Sequence, residues 1–122
     1  MSTIVMWASD LRAQTEFYAL LFDLPEPKIQ GDFVSVTSSQ NSVLLHRLPN
    51  EYAAEVPLRK QLAANLDAAI KLVFTVDSIE SALTRIANTF ASVSSIEGRF
   101  GEFRYLDLVD PEGNLIQIQQ RS

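Results

Sequence analysis

The residues able to do chemistry in this chain are few, and the types that are missing narrow the options. Of 122 residues one is a histidine, His46, and none is a cysteine. Disulfides, thiolate metal sites, Fe–S clusters and cysteine nucleophiles are therefore excluded, and a reducing cytoplasm is the default compartment. A single imidazole permits no His–His metal motif, and it would have to serve every serine as base. The four glycines form neither a phosphate-cradling loop nor a nucleophile elbow. Asp107 has Arg104 and Lys71 as candidate ionic partners; in a cleft such groups perturb one another, though plain structural ion pairs are commoner. Trp7, Phe103 and Tyr105 offer flat apolar walls suited either to a small-molecule pocket or to a partner subunit.

The elements that must position these residues belong to one modest domain. A mass of 13.6 kDa, 47% hydrophobic and 20% charged residues describe a globular chain with one core. Ten basic residues against fifteen acidic give a formal charge of −5, which disfavours nucleic acid as a partner. The early apolar run Ile4–Val5–Met6–Trp7–Ala8 falls far short of the ~20 residues a membrane helix needs. The first ten residues carry no basic group, which argues against a secretory signal.

Two stretches repeat one order of events. Ile4–Ala8 runs into Asp10 and then into helical spacing from Leu11 to Leu24; Ile70–Val76 runs into Asp77 and then into helical spacing from Ile79 to Phe90. Asp10 and Asp77 suit the N-cap, and Glu80 completes a capping-box pattern with Asp77. The first helix is expected to bury Leu11, Phe17, Leu20, Leu21 and Leu24; the second Ile79, Ala82, Leu83, Ile86 and Phe90. Strand candidates follow each helix: residues 33–37 and 42–47 in the first half, 91–96, 103–108 and 115–119 in the second, with residues 25–29 as a short edge strand. Asp110–Pro111–Glu112–Gly113–Asn114 has proline and glycine where a type I turn wants them. The chain therefore reads as βαβββ twice: module one 1–47, a linker 48–69 that is alanine-rich and partly helical, and module two 70–122.

Three motifs on this duplicated pattern resemble the vicinal oxygen chelate superfamily, the glyoxalase/bleomycin-resistance/dioxygenase proteins. They are Ser9–Asp10–Leu11 followed by Phe17–Tyr18, Val76–Asp77 opening the second helix, and Asp110 through Ile116 as the closing hairpin. The resemblance covers almost the whole chain. It implies an α+β fold in which two βαβββ modules form one incurved mixed sheet, with helices on the convex face and a ligand cleft on the concave one. Alternation then sends Ile4, Met6, Ala8, Leu72, Phe74, Val76, Ile116 and Ile118 towards the helices. Thr3, Val5, Trp7, Lys71, Val73, Thr75, Leu115, Gln117 and Gln119 face the cleft, with Phe103, Tyr105 and Asp107 beside them above a layer of Leu106 and Leu108.

Metal-using members of that superfamily carry four ligands drawn from His, Gln and Glu. By the family spacing those places fall here on Thr3, near Leu44, on Lys71 and on Gln117. A hydroxyl, a hydrocarbon, an ammonium and a neutral amide do not make a divalent-cation site. His46 lies one inward position beyond Leu44 and is read as a rim residue. The resemblance therefore implies a member with no cofactor and no metal, lacking catalytic residues: a cytoplasmic homodimer that binds and sequesters a small molecule, cationic or aromatic. Trp7, Phe103, Tyr105, Asp107, Gln117, Lys71 and His46 are its candidate ligand contacts. The competing expectations are a metal-dependent lyase, isomerase or dioxygenase with atypical ligands, and a ligand-free regulatory or interaction module.

Overall fold

A computed structural model describes residues 2–49, 70–89 and 91–121, with side chains of residues 92–96 outside that description. Module one runs β1 (Ile4–Ala8), α1 (Leu11–Leu21), β2 (Phe33–Thr37) and β3 (Ser42–Arg47); module two runs β4 (Leu72–Thr75), α2 (Ile79–Ile86), β5 (Ser92–Phe100), β6 (Phe103–Val109) and β7 (Leu115–Arg121). Each module closes with an antiparallel hairpin whose last strand returns parallel to its first, giving the orders β1–β3–β2 and β4–β7–β6–β5. This is the expected α+β architecture, and the predicted linker, apart from Leu48 and Pro49, lies outside the described residues.

Alternation predicts the burial well. Met6, Ala8, Phe74, Val76, Leu106, Leu108, Ile116 and Ile118 are buried, whereas Val5, Trp7 and Val73 are exposed on the opposite face. Leu115 departs from the expectation: it faces the open side and is nevertheless buried, at 6% exposure. The helices contribute Leu11, Phe17, Leu21, Ile79, Ala82 and Ile86 as foreseen, with Leu20, Leu24 and Leu83 packed at the margin. Phe90 lies outside the described residues. One buried cluster draws on both modules. The rings of Tyr18 and Phe22 on module one pack 5.7 and 5.2 Å from that of Phe74 on β4.

Four local readings need correction. The helix α1 stops at Leu21 rather than Leu24 because Asp23 takes a left-handed backbone (φ 59). Asp23 N–H and Leu24 N–H then donate to the carbonyls of Leu20 and Ala19, a Schellman ending. Second, Ser78 rather than Asp77 caps α2, its hydroxyl accepting from Ser81 N–H, so Glu80 sits too early to close a capping box. Third, residues 25–29 form no strand; Pro25 and Pro27 remove the donors an edge ladder needs, and only an isolated Gln30–Phe33 bridge remains. Fourth, the strands make two separate sheets rather than one. The Asn41 side chain occupies the outer edge of β4, its Nδ2 donating to Thr75 O (2.7 Å) and its Oδ1 accepting from Thr75 N–H (3.1 Å). An amide thus supplies the pairing that a neighbouring strand would otherwise give.

Candidate functional site

The sheet register arranges the open faces as grids. On module one, β1, β3 and β2 place three rows side by side: Ser42–Thr37, extended by the hydroxyl of Thr3 just before β1, then Val5–Leu44–Ser35 and Trp7–His46–Phe33. The first row is all hydroxyl, and its oxygens form a chain. Thr3 Oγ1 lies 3.1 Å from Ser42 Oγ, which lies 3.0 Å from Thr37 Oγ1, itself 2.9 Å from Ser35 Oγ. The third row is all ring. Trp7 meets His46 edge-on at 4.9 Å between centroids, and Phe33 stacks on His46 at 6.4 Å. His46 is thus the middle of an aromatic row, with its Nδ1 3.0 Å from the Arg47 carbonyl.

Module two carries charge and amides on its open face. Gln117 sits between Val73 on β4 and Asp107 on β6, and Gln119 between Thr75 and Tyr105. Asp107 is 2% exposed, and both its oxygens are engaged. Lys71 Nζ donates to Oδ2 (3.0 Å) and Gln117 Nε2 to Oδ1 (3.1 Å). A carboxylate this deeply buried needs such partners to replace its lost hydration. Arg104, the other expected partner, instead pairs with Glu80 at 3.0 Å. The Glu80 carboxyl is held below the usual range by a backbone hydrogen bond at its own position and by that guanidinium. Tyr105 lies over Gly98, whose missing Cβ would stand 2.6 Å from the phenol oxygen. Phe103 packs under the Arg121 guanidinium, 5.0 Å from its ring centre.

Of the seven sequence-predicted contacts, Lys71, Asp107 and Gln117 form one bonded cluster, with Tyr105 one row away and Phe103 beyond it. Trp7 and His46 form the other group, on the other sheet. Sequence reasoning missed Phe33, Ser35 and Thr37, although the alternation of Phe33–Val34–Ser35–Val36–Thr37 would have found all three. It also read Asp110 and Glu112 only as turn residues. Asp110 accepts from Tyr18 Oη (2.7 Å) and Gln14 Nε2 (3.0 Å), and Glu112 accepts from Ser9 and Asp10 N–H and from Ser9 Oγ. The closing hairpin therefore grips the first strand–helix junction of the other module. Burial, followed by the charges of Asp110 and Glu112, pushes the Tyr18 phenol well above its ordinary pKa.

A cavity of about 200 Å³ lies elsewhere, in the seam between the α1 C-terminus, residues 38–41 and the β4–α2 junction. Its polar groups serve the fold. Gln40 donates to Asp77, Ser78 caps α2, and Arg85 donates to the Leu20 and Leu21 carbonyls at the end of α1.

No protein-family model matches the sequence, and no curated protein is similar to it in sequence. Solved structures do match it along its whole length. A glyoxalase/bleomycin resistance protein from Albidiferax ferrireducens T118 superposes with a TM-score of 0.70 at 12% identity, covering 100% of this chain and 98% of that one. The chain has the glyoxalase/bleomycin-resistance fold. A glyoxalase/bleomycin resistance protein/dioxygenase family enzyme from Burkholderia phytofirmans PsJN matches at 0.66 and 18% identity over 99% and 98% of the two chains. The bleomycin resistance determinant encoded on transposon Tn5 matches at 0.64 and 14% over 100% and 98%.

Within this fold the metal question has a local answer. Thr3 and Lys71 each stand seven residues before the N-cap of their helix, and Leu44 pairs with Val5 as Gln117 pairs with Val73. The four places that the family resemblance assigns to metal ligands are therefore two equivalent pairs, and the register puts Leu44, not His46, at the fourth. Lys71 presents an ammonium already bonded to Asp107, Leu44 has no lone pair, and Thr3 shares its hydroxyl with Ser42. These residues do not fit a divalent cation. Among the described residues no group of three or more His, Asp or Glu side chains converges elsewhere either.

Proposed function

We propose that this chain is a metal-independent small-molecule binder of the bleomycin-resistance type, working as a cytoplasmic homodimer that sequesters a partly aromatic guest without transforming it. The observation that carries this reading is the Lys71–Asp107 pair. At Lys71, one of the places the family resemblance assigns to a metal ligand, an ammonium is bonded to a buried carboxylate, which supports a binder that works without a metal. Sequestration needs a surface of defined shape and no acid, base or metal, and the two open faces supply rings, hydroxyls and amides. Exposed Val5, Trp7, Phe33, Val73 and Phe100 give those faces enough apolar area for a ligand and a second copy to share. No helix among the described residues is long and apolar enough to cross a membrane.

Elemental analysis of the purified protein tests the reading directly. Less than one tenth of an equivalent of transition metal per chain is the expected result, and about one Zn, Ni, Mn or Fe per chain would overturn it. A thermal-shift screen against aromatic metabolites and glycopeptides is the positive test, because a guest that binds only the folded state must raise Tm. Size-exclusion chromatography with light scattering reports the dimer.

A further inference from the structure

We infer that Lys71 is a binding residue for an oxygen anion, so that the guest is an aromatic carboxylate or enolate rather than a cation. This deepens the proposed function and rests on it. The Lys71 ammonium has three N–H groups, and Asp107 takes one. The other two have no partner among the described residues, and the side chain is 37% exposed on the open face. Asp107 is 2% exposed with both oxygens filled by Lys71 and Gln117. It therefore fixes the ammonium in place and is itself closed to a ligand.

The acidic balance of the whole chain favours a cation at long range, but contact chemistry at this cluster runs the other way. A positive donor held 3.0 Å from its carboxylate offers charge-assisted hydrogen bonds to a second oxygen, and a carboxylate or enolate takes them best. The surroundings specify the rest of the guest. Val73, 46% exposed, lies one row along on β4, and Tyr105 and Phe103 lie further along β6 on the same face. A flat ring bearing one anionic oxygen substituent matches that sequence of groups. An amine-bearing ring would meet the ammonium with like charge.

The test compares benzoate with benzylamine, two probes of the same ring and opposite charge, by calorimetry and thermal shift on the purified protein. Benzoate should bind and raise Tm, and benzylamine should do neither. Lys71→Arg keeps the charge and should retain benzoate binding. Lys71→Met strands Asp107 in the interior and is a poor test, so the informative variant is Lys71→Gln with Asp107→Asn, a neutral hydrogen-bonding pair. It should bind benzoate about 10- to 100-fold more weakly, the worth of a charge-assisted bond. Benzylamine binding in place of benzoate, or benzoate affinity unchanged in the double variant, overturns the anion assignment and leaves sequestration standing. If neither ring binds and a stoichiometric metal is present, both readings fall together.

Discussion

The two modules share a plan and differ in the chemistry they expose. Module one presents a hydroxyl row, a mixed row of Val5, Leu44 and Ser35, and an aromatic row. Module two presents an ion pair, its carboxylate buried and its ammonium partly exposed, beside Gln117 and Gln119. Equivalent places carry Thr3 against Lys71 and Leu44 against Gln117, so two similar strand layouts present a face of hydroxyls and rings and a face with an ion pair and amides. The lesson concerns what a shared strand plan demands. Alternation and hairpin closure keep the helix-facing layers alike, because both must fill a core. The open faces are free of that demand and carry the difference.

The modules also hold one another unequally. Module two sends Asp110 and Glu112, both buried, onto the Ser9–Asp10 junction and onto Gln14 and Tyr18. Module one answers with Asn41 on Thr75 and the exposed Gln40–Asp77 contact. The largest predicted effect follows. Asp110→Ala leaves buried Gln14 and Tyr18 without their acceptor and strips the turn of its bonds to Glu112 N–H, Asn114 N–H and Asn114 Nδ2. It should cost about 3–5 kcal/mol in urea unfolding. Gly113→Val comes next, because φ is +87 there; a loss of about 2–3 kcal/mol is expected, and an unchanged midpoint would refute the turn. Asn41→Ala should cost about 1–2 kcal/mol. A cost equal to that of Asp110→Ala would abolish the asymmetry between the two grips.

Tyr18 sharpens the same comparison through pH. Its folded pKa lies above the unfolded value near 10, so above that pH the unfolded chain releases a proton the folded chain keeps. The unfolded state then binds fewer protons, and stability falls as pH rises. Tyr18→Phe should flatten that alkaline loss, measured as urea midpoints between pH 9 and about 11. The smallest stability effect belongs to Trp7→Ala, which removes a side chain 47% exposed on the open face. About 0.5 kcal/mol or less is expected, together with a clear loss of ligand affinity. A large fall in Tm with unaltered binding would make Trp7 a core residue and reverse the face assignment.

How legible the molecule was in its sequence varies with the range of the interaction. Period-2 spacing located Met6, Ala8, Phe74, Ile116 and Ile118 in the core because alternation is set by the pleat of one strand. The N-cap at Asp10 was legible for the same local reason, since its carboxylate reaches Ala13 N–H three residues on. Ser78 was missed because a serine beside an aspartate leaves two capping candidates, and the helix start is decided by Gln120 Oε1 accepting from Ile79 N–H across the module. Leu115 was misjudged because burial on the open side depends on neighbours that spacing does not name. The candidate site was half legible: residue types and faces were visible, whereas the Lys71–Asp107 bond spans 36 residues.

By itself the sequence determined the repeat, the faces of the strands, the closing turns and the absence of thiol or multi-histidine chemistry, because each depends on residues close along the chain or simply missing from it. Only the tertiary structure decided that Arg104 belongs to Glu80 while Lys71 belongs to Asp107, that Asn41 seals the β4 edge, and that the DPEGN hairpin clasps the opposite module. Those choices join groups distant in the chain. Hydrogen bonds and ion pairs act over a few ångströms, and nothing in residue order fixes which groups come that close until the sheets and helices have packed.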